Sequence, residues 1–366
     1  MEKYRSQQEE LGKSIKNLES RSSTYSGARF IMFVVAVAAL IVGIYDSRMV
    51  LLAVGLVAAA AFVALVFIHG KLSEELEYKR ARAEVIRRYI ERFGDGWKQF
   101  EENGSEYLED QDLVARDMDL LGASSLYQFI CTAGTEEGRR TLADSIKNPK
   151  SDIHEIERRQ DAIRELASKE EFSMGFETLG VKTNMGKKKK YTADEFVAYC
   201  NGDDHIPMIF NILRFVFPAI TVIALTLGIM GKINMGWTLV SFFVVLLFSW
   251  LFSGVAGQAV MPMISFGYVI EDYIRMFEMI SQEKFESSLL KDIQGRLSED
   301  SGALGAIKKL RTISAAFNIR YNPIVHQILC GFTMWDFHLG AMMDRWKSRN
   351  GDKVEGWISA VSGMEE

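Results

Sequence analysis

Four apolar runs constrain this chain more than anything else in it. "FIMFVVAVAALIVGIY", Phe30 to Tyr45, is followed after "DSRM" by "VLLAVGLVAAAAFVALVFI", Val50 to Ile68. Far downstream, "PMIFNILRFVFPAITVIALTLGIM", Pro207 to Met230, and "MGWTLVSFFVVLLFSWLFSGV", Met235 to Val255, are separated only by "GKIN". A helix crosses a bilayer in roughly 17–25 apolar residues, so the first run is marginal in length and the other three are ample. Breaks this short leave room for nothing but a turn, which makes two transmembrane hairpins. A cleaved signal peptide competes for the first run, but a charged leader fills residues 1–29 and no small-residue cleavage pattern follows.

Orientation follows from lysine and arginine near the membrane ends. The leader carries Lys3, Arg5, Lys13, Lys16, Arg21 and Arg29, and Lys71, Lys79, Arg80, Arg82, Arg87 and Arg88 follow the first hairpin. Lys187 to Lys190 precede the second, while the two turns hold only Arg48 and Lys232. Leader, middle segment and C-terminal segment therefore face the cytoplasm. The organisation is a leader at 1–29, a hairpin at 30–68, a helical segment at 69–206, a second hairpin at 207–255 and a helical segment at 256–366. No acidic residue lies within a span, so nothing suggests an ion pathway, and Arg214 sits where it can snorkel.

Outside the spans the chain reads as helix. Apolar residues make up 48% and charged residues still 25%, a mixture that suits separate membrane and aqueous parts. Only 5 prolines interrupt 366 residues, and no strand-like alternation is convincing, so the fold class is all-α. "KLSEELEYKRARAEVIRRYIERF" sets Leu72, Leu76, Lys79, Ala83, Ile86, Ile90 and Phe93 on a heptad seam. From Val50 that helix is about 65 Å long at 1.5 Å per residue. Its seam suits either packing on its own domain or a coiled coil between two chains. After the fourth run, Ile270, Ile274, Phe277, Phe285, Leu289 and Ile293 repeat the pattern, with Pro262 and Gly267 expected to bend the arm at its root. A third helix is expected near Gly302 to Phe317.

One helix is unusually polar. "NPKSDIHEIERRQDAIREL", Asn148 to Leu166, has a proline stop, Asp152 as N-cap and Glu155 at the capping-box position. Ile153, Ile156, Ile163 and Leu166 make its apolar stripe. Upstream lies "DMDLLGASSLYQFICTAGTEEGRRTLADSIKNP". The ordered series Asp117, Gly122, Ser125, Leu126, Thr135, Gly138, Arg140, Leu142 and Pro149, then Ile156, Arg159, Gln160, Asp161, Ala162, Ile163 and Leu166, resembles the core domain of the MutS mismatch-repair family. The likeness covers about residues 113–172 and is weaker over 268–366, which looks like the returning lever helix and the second half of the core. It implies a membrane-anchored MutS-like core split by the second hairpin, in the inner membrane of a bacterium, working as a homodimer.

The family's C-terminal ATPase domain carries G-x-x-x-x-G-K-[ST], and no such loop occurs here. "GALGAIKKL" from Gly302 has the wrong spacing. The chain ends about where that domain would begin, which suits either a fragment or a natural form without the motor. No cofactor is expected in this chain, ATP and magnesium being implied only for the missing domain. "FEE" at Phe100 has the spacing of the family's mismatch wedge but lies outside any such domain.

Other chemistry is thin. Cys131, Cys200 and Cys330 are far apart, which suits a reducing compartment. "HEIER" at His154 puts Arg158 where H-E-x-x-H needs its second histidine. The five histidines form no metal spacing, although His326 and His338 flank Cys330 closely enough to meet it in a fold. "NGDDH" at Asn201 reads as a loop. No catalytic, cofactor or metal residue is assigned. Lys187, Lys188, Lys189 and Lys190 are the candidate contact for lipid headgroups, worth roughly 1 kcal/mol each near an anionic surface, with a solvated loop or a DNA phosphate contact as alternatives. A formal charge of -5 and pI near 5.7 argue against a general nucleic-acid binder. Two functions follow: a non-catalytic membrane-anchored scaffold, the core and lever part of a dimeric ATP-dependent machine, or a membrane-held DNA-binding repair or recombination protein.

Overall fold

The computed structural model describes residues 1–45, 48–185, 193–202, 205–234, 236–298 and 303–366. Among these the chain is helical, with no strand.

The first two helices are the longest. α1 (Glu2–Tyr45) runs through the charged leader and the first apolar run without a break, and α2 (Met49–Arg92) runs through the second run and the heptad seam. They pack antiparallel along their length. In the apolar half the contact is made by small residues: Ala36 and Ala58 are buried, Gly55 sits against Leu40 and Gly43 against Leu52. Small residues let helix backbones approach closely where lipid gives no hydrophobic drive. In the polar half the seam is closed by the leader. Leu18 packs with Leu72 and Leu76, Lys79 donates to Ser14 Oγ at 2.7 Å, and Arg80 pairs with Glu19 at 2.6 Å. The heptad pattern of α2 thus finds its partner within the chain, and its Ile86 face turns onto the helical body.

That body begins with short elements, α3 (Leu113–Asp117) and α4 (Leu126–Ile130), then α5 (Glu136–Lys147), α6 (Ile153–Ser168), α7 (Glu170–Asn184) and α8 (Ala193–Asn201). α9 (Met208–Ile229) and α10 (Gly236–Leu251) form the second hairpin, turning at Gly231, whose φ of +70° suits glycine. α1, α2 and α9 are long and apolar enough to cross a membrane. α10 is apolar but only 16 residues long, about 24 Å at 1.5 Å per residue. The fourth apolar run therefore divides at Phe252, where α11 (Ser253–Gln282) begins.

α11 runs as one helix through Pro262 and Gly267, the expected root of the arm. Proline removes one backbone hydrogen bond, which a helix of this length outlasts when its far end is buried. Ile270, Ile274 and Phe277 lie at the centre of the body, and α12 (Ser288–Ser298), α13 (Ala303–Phe317), α14 (Pro323–Thr333), α15 (Trp335–Asn350) and α16 (Val354–Glu365) complete it. The main core draws on both sides of the second hairpin, from Phe172, Phe176 and Phe196 to Ile274, Trp346 and Trp357. A buried ion pair, Lys182 to Asp272 at 2.6 Å, ties α7 to α11.

Candidate coupling site between arm and body

Thr135 and Gly138, two of the residues singled out in the sequence, lie at the Gly134–Thr135 peptide. α5 begins there because Thr135 accepts from Gly138 N with its hydroxyl at 3.0 Å. Gly134 lies so close to the backbone of Gly180 in α7 that a Cβ has no room, and Gly138 is in the same position against Glu365. The Glu365 carboxylate, near the end of α16, accepts from Gly134 N at 3.0 Å, from Thr135 N at 3.2 Å and from the Thr135 hydroxyl. Glu366 bonds Ser145 and Arg159. Arg140 pairs with Asp194 at 2.8 Å, and Leu142 joins the small core beneath α4.

The arm reaches the same place. At its far end Arg92 donates to the carbonyls of Phe129 at 2.8 Å and Cys131 at 2.6 Å, three residues before Gly134. Arg88 pairs with Glu102 at 3.2 Å, and Arg139 donates to Gly134 O at 2.8 Å. A cavity of about 210 Å³, whose lining includes Glu84, Arg88, Glu102, Arg139, Val181 and Met185, opens beside this junction. The segment from Phe129 to Thr135 thus touches α2 at one end, and α5, α7 and α16 at the other.

Two acids here are displaced from their usual range. Glu177 is buried on α7, and desolvation pushes it up to about 7 against the pull of Arg92 and a hydrogen bond from Tyr89. Burial likewise raises Glu365 to about 7, opposed by the donors of Gly134 and Thr135. The junction is therefore sensitive to charge near neutral pH.

Several sequence expectations change on contact with the fold. Asp152 caps α6 as expected, accepting from His154 N at 2.8 Å and Glu155 N at 3.2 Å. The apolar stripe of α6 is buried only in part: Ile153 and Ile163 are 69% and 57% exposed, while Leu166 packs beside the buried Ala162 against the main core. α6 docks through these two residues and through polar groups. Arg158 bonds Ser288 at 3.0 Å, and Glu165 caps α12 through the amides of Glu286 and Ser287.

Arg214 does not snorkel. It is buried against the start of α15, where it donates to Phe337 O at 3.5 Å. Phe100 is a core residue under the Arg88 and Arg92 guanidinium groups, and "GALGAIKKL" continues as helix α13 from Ala303. His154 is exposed on α6, and His338 bonds the Arg214 carbonyl. His326 does meet Cys330, at 3.3 Å. Lys187, Lys188, Lys189 and Lys190, with Asp203 and Asp204, lie outside the described residues. Compared with known proteins, the chain matches no family model, no curated protein and no solved structure.

Sequence reading missed the junction. Thr135 and Gly138 stood out for their order, but their partner Glu365 lies 230 residues away and no local pattern announces it.

Proposed function

We propose that this chain is a non-catalytic membrane-anchored scaffold, a MutS-like core and lever that carries nucleotide-driven motion from an ATPase domain, in cis or in trans, to the bilayer. The observation that carries this reading is the segment from Phe129 to Thr135: Arg92 at the end of the rod holds its Phe129 and Cys131 carbonyls, and Glu365 of the last helix holds its Gly134 and Thr135 amides. A shift of α16 there displaces the loop that holds Arg92, and a stiff helix passes that displacement along its length. The exposed Ile153 and Ile163 leave α6 an apolar face for the partner that such a machine requires.

The rest of the proposal follows the membrane reading. α10 with the residues after it completes a fourth span, both soluble parts lie in the cytoplasm of a bacterial cell, and Lys187 to Lys190 rest on anionic lipid. A homodimer forms through the body. The DNA-binding alternative draws less support, because Arg140, Arg158, Arg159 and Arg164 are engaged with Asp194, Asp292, Glu366 and Asp161.

The test is distance measurement by paired spin labels at Glu19 on the arm and Asp292 on the body, in native membranes. Magnesium ATP is expected to shift the distance distribution and ADP to restore it. A distribution indifferent to nucleotide would reduce the protein to a static anchor. Duplex DNA binding whose log affinity falls linearly with log salt would favour the repair reading instead.

A further inference from the structure

We infer that His326, Cys330 and Asp336 form a binding site for a divalent ion of the zinc class, clamping the turn between α14 and α15. The helix sets up two of the three ligands. Asn322 caps α14 by accepting from Val325 N at 3.2 Å, and Pro323 opens its first turn. His326 and Cys330 then fall one turn apart on the same face. Met334 ends the helix with φ +50° and ψ +47°, reversing the chain so that Asp336, in the first turn of α15, returns over them.

The resulting distances suit one ion. His326 Nε2 lies 3.3 Å from Cys330 Sγ and 2.9 Å from Asp336 Oδ1, Sγ lies 3.9 Å from the second carboxylate oxygen Oδ2, and one ligand atom from each residue falls within 4.8 Å of the others. A tetrahedral zinc with bonds of about 2.0–2.3 Å holds such ligand pairs about 3.4–3.6 Å apart, within reach of side-chain adjustments of about an ångström. One sulfur, one imidazole nitrogen and one carboxylate oxygen make a donor set that borderline-soft zinc accepts. A thiolate and a carboxylate together balance its two positive charges. Arg320 donates to the other Asp336 oxygen at 3.3 Å, an outer partner of the kind that orients ligating carboxylates. Cys330 is buried, and the side chains of His326 and Asp336 are only 13% and 12% exposed.

Two simpler readings fit less well. A nucleophilic cysteine relay requires the carboxylate on the imidazole nitrogen opposite the thiol, but here the same Nε2 faces both Sγ and Oδ1. A bare ion pair of His326 and Asp336 with Arg320 leaves the thiol without a role. It also leaves unexplained why a fully buried, non-glycine residue in the left-handed region forms the link. Coordination across Met334 would hold that turn closed. It would also fix α14, whose Gly331 abuts the ring of Phe242, against the second hairpin.

The test uses the full chain purified in detergent without added chelator. About one zinc per chain is expected by elemental analysis, falling at least tenfold in Cys330→Ser while the double variant Cys131→Ser/Cys200→Ser keeps it. Replacement by cobalt should give a thiolate-to-cobalt charge-transfer band that Asp336→Asn and Cys330→Ser abolish. Should those variants misfold, the wild-type protein still decides. Alkylation of Cys330, mapped by mass spectrometry, should accelerate at least tenfold when a chelator is added and slow again on adding zinc alone. Absence of stoichiometric metal after zinc loading, retention of it in Cys330→Ser, or alkylation indifferent to chelator and zinc would each overturn the site.

Discussion

The two hairpins enter the molecule by opposite means. α1 and α2 meet through small residues in their apolar half and through a leucine and ion-pair seam in their polar half, making one rod of 44-residue helices. α9 and α10 are short and aromatic, and they are seated in the body itself. Phe210 stacks on Phe337 at 5.0 Å, Phe217 and Phe248 lie 4.6 Å apart, and Met334 and Phe337 of the body are fully buried against them. The rod meets the body along one face, where Ala81, Val85 and Ile86 of α2 pack on Met174 and Val181 of α7. A hairpin locked by interdigitated rings is a fixed reference. In the proposed lever, the aromatic seat would serve as the fulcrum and the rod as the moving arm.

The largest effects should come from unseating the fixed side. Phe337→Ala deletes a wholly buried ring and should cost about 3–5 kcal/mol, read as a lower thermal midpoint in detergent. Asp272→Asn, which strands the buried Lys182 charge, should cost about as much and loosen α7 from α11. If either change left stability intact while the arm came loose, the roles of the two hairpins would be reversed.

Charge at the junction should matter somewhat less. Glu177 titrates at about 7 in the folded protein against an ordinary value near 4.5, so the fold binds its proton more tightly than the unfolded chain. Stability is therefore fully present below about 4.5 and declines as pH rises through about 7, by up to roughly 3 kcal/mol from this group. Glu177→Gln should flatten that decline in unfolding curves taken at pH 5 and pH 8. A slope unchanged by the substitution would show that Glu177 is not its source.

The smallest effect belongs to the arm. Gly55→Leu forces a side chain into Leu40 and should cost about 1–3 kcal/mol, confined to the rod. Disulfide trapping between cysteines placed at Phe33 and Phe62, whose rings are 5.6 Å apart, should fall in this variant. Trapping between cysteines at Phe210 and Phe337 should be unchanged. Equal loss at both pairs would dissolve the contrast between rod and seat.

Much of the fold was legible in local pattern. The long apolar runs, the heptad spacing of α2, the caps at Asp152 and the apolar positions of α11 and α12 all depend on neighbours within a few turns. The stripe on α6 misled because periodicity marks which residues share a face, not whether anything arrives to cover it. The fourth apolar run shows a related limit. Hydropathy does not register that the helix stops at Leu251 and restarts at Ser253.

By itself, then, the sequence determined that this chain is helical, that it holds helices apolar and long enough for a bilayer, and where most of those helices start. Backbone hydrogen bonding and burial of apolar side chains are satisfied within each segment, so the segment's own residues suffice. Tertiary structure alone decided that the leader closes the seam of α2, that Glu365 reaches Gly134 across the chain, and that Asp336 comes back over His326 and Cys330. Each depends on two distant segments converging, and the close approach at Gly134 or the reversal at Met334 has no signature until both partners are in place.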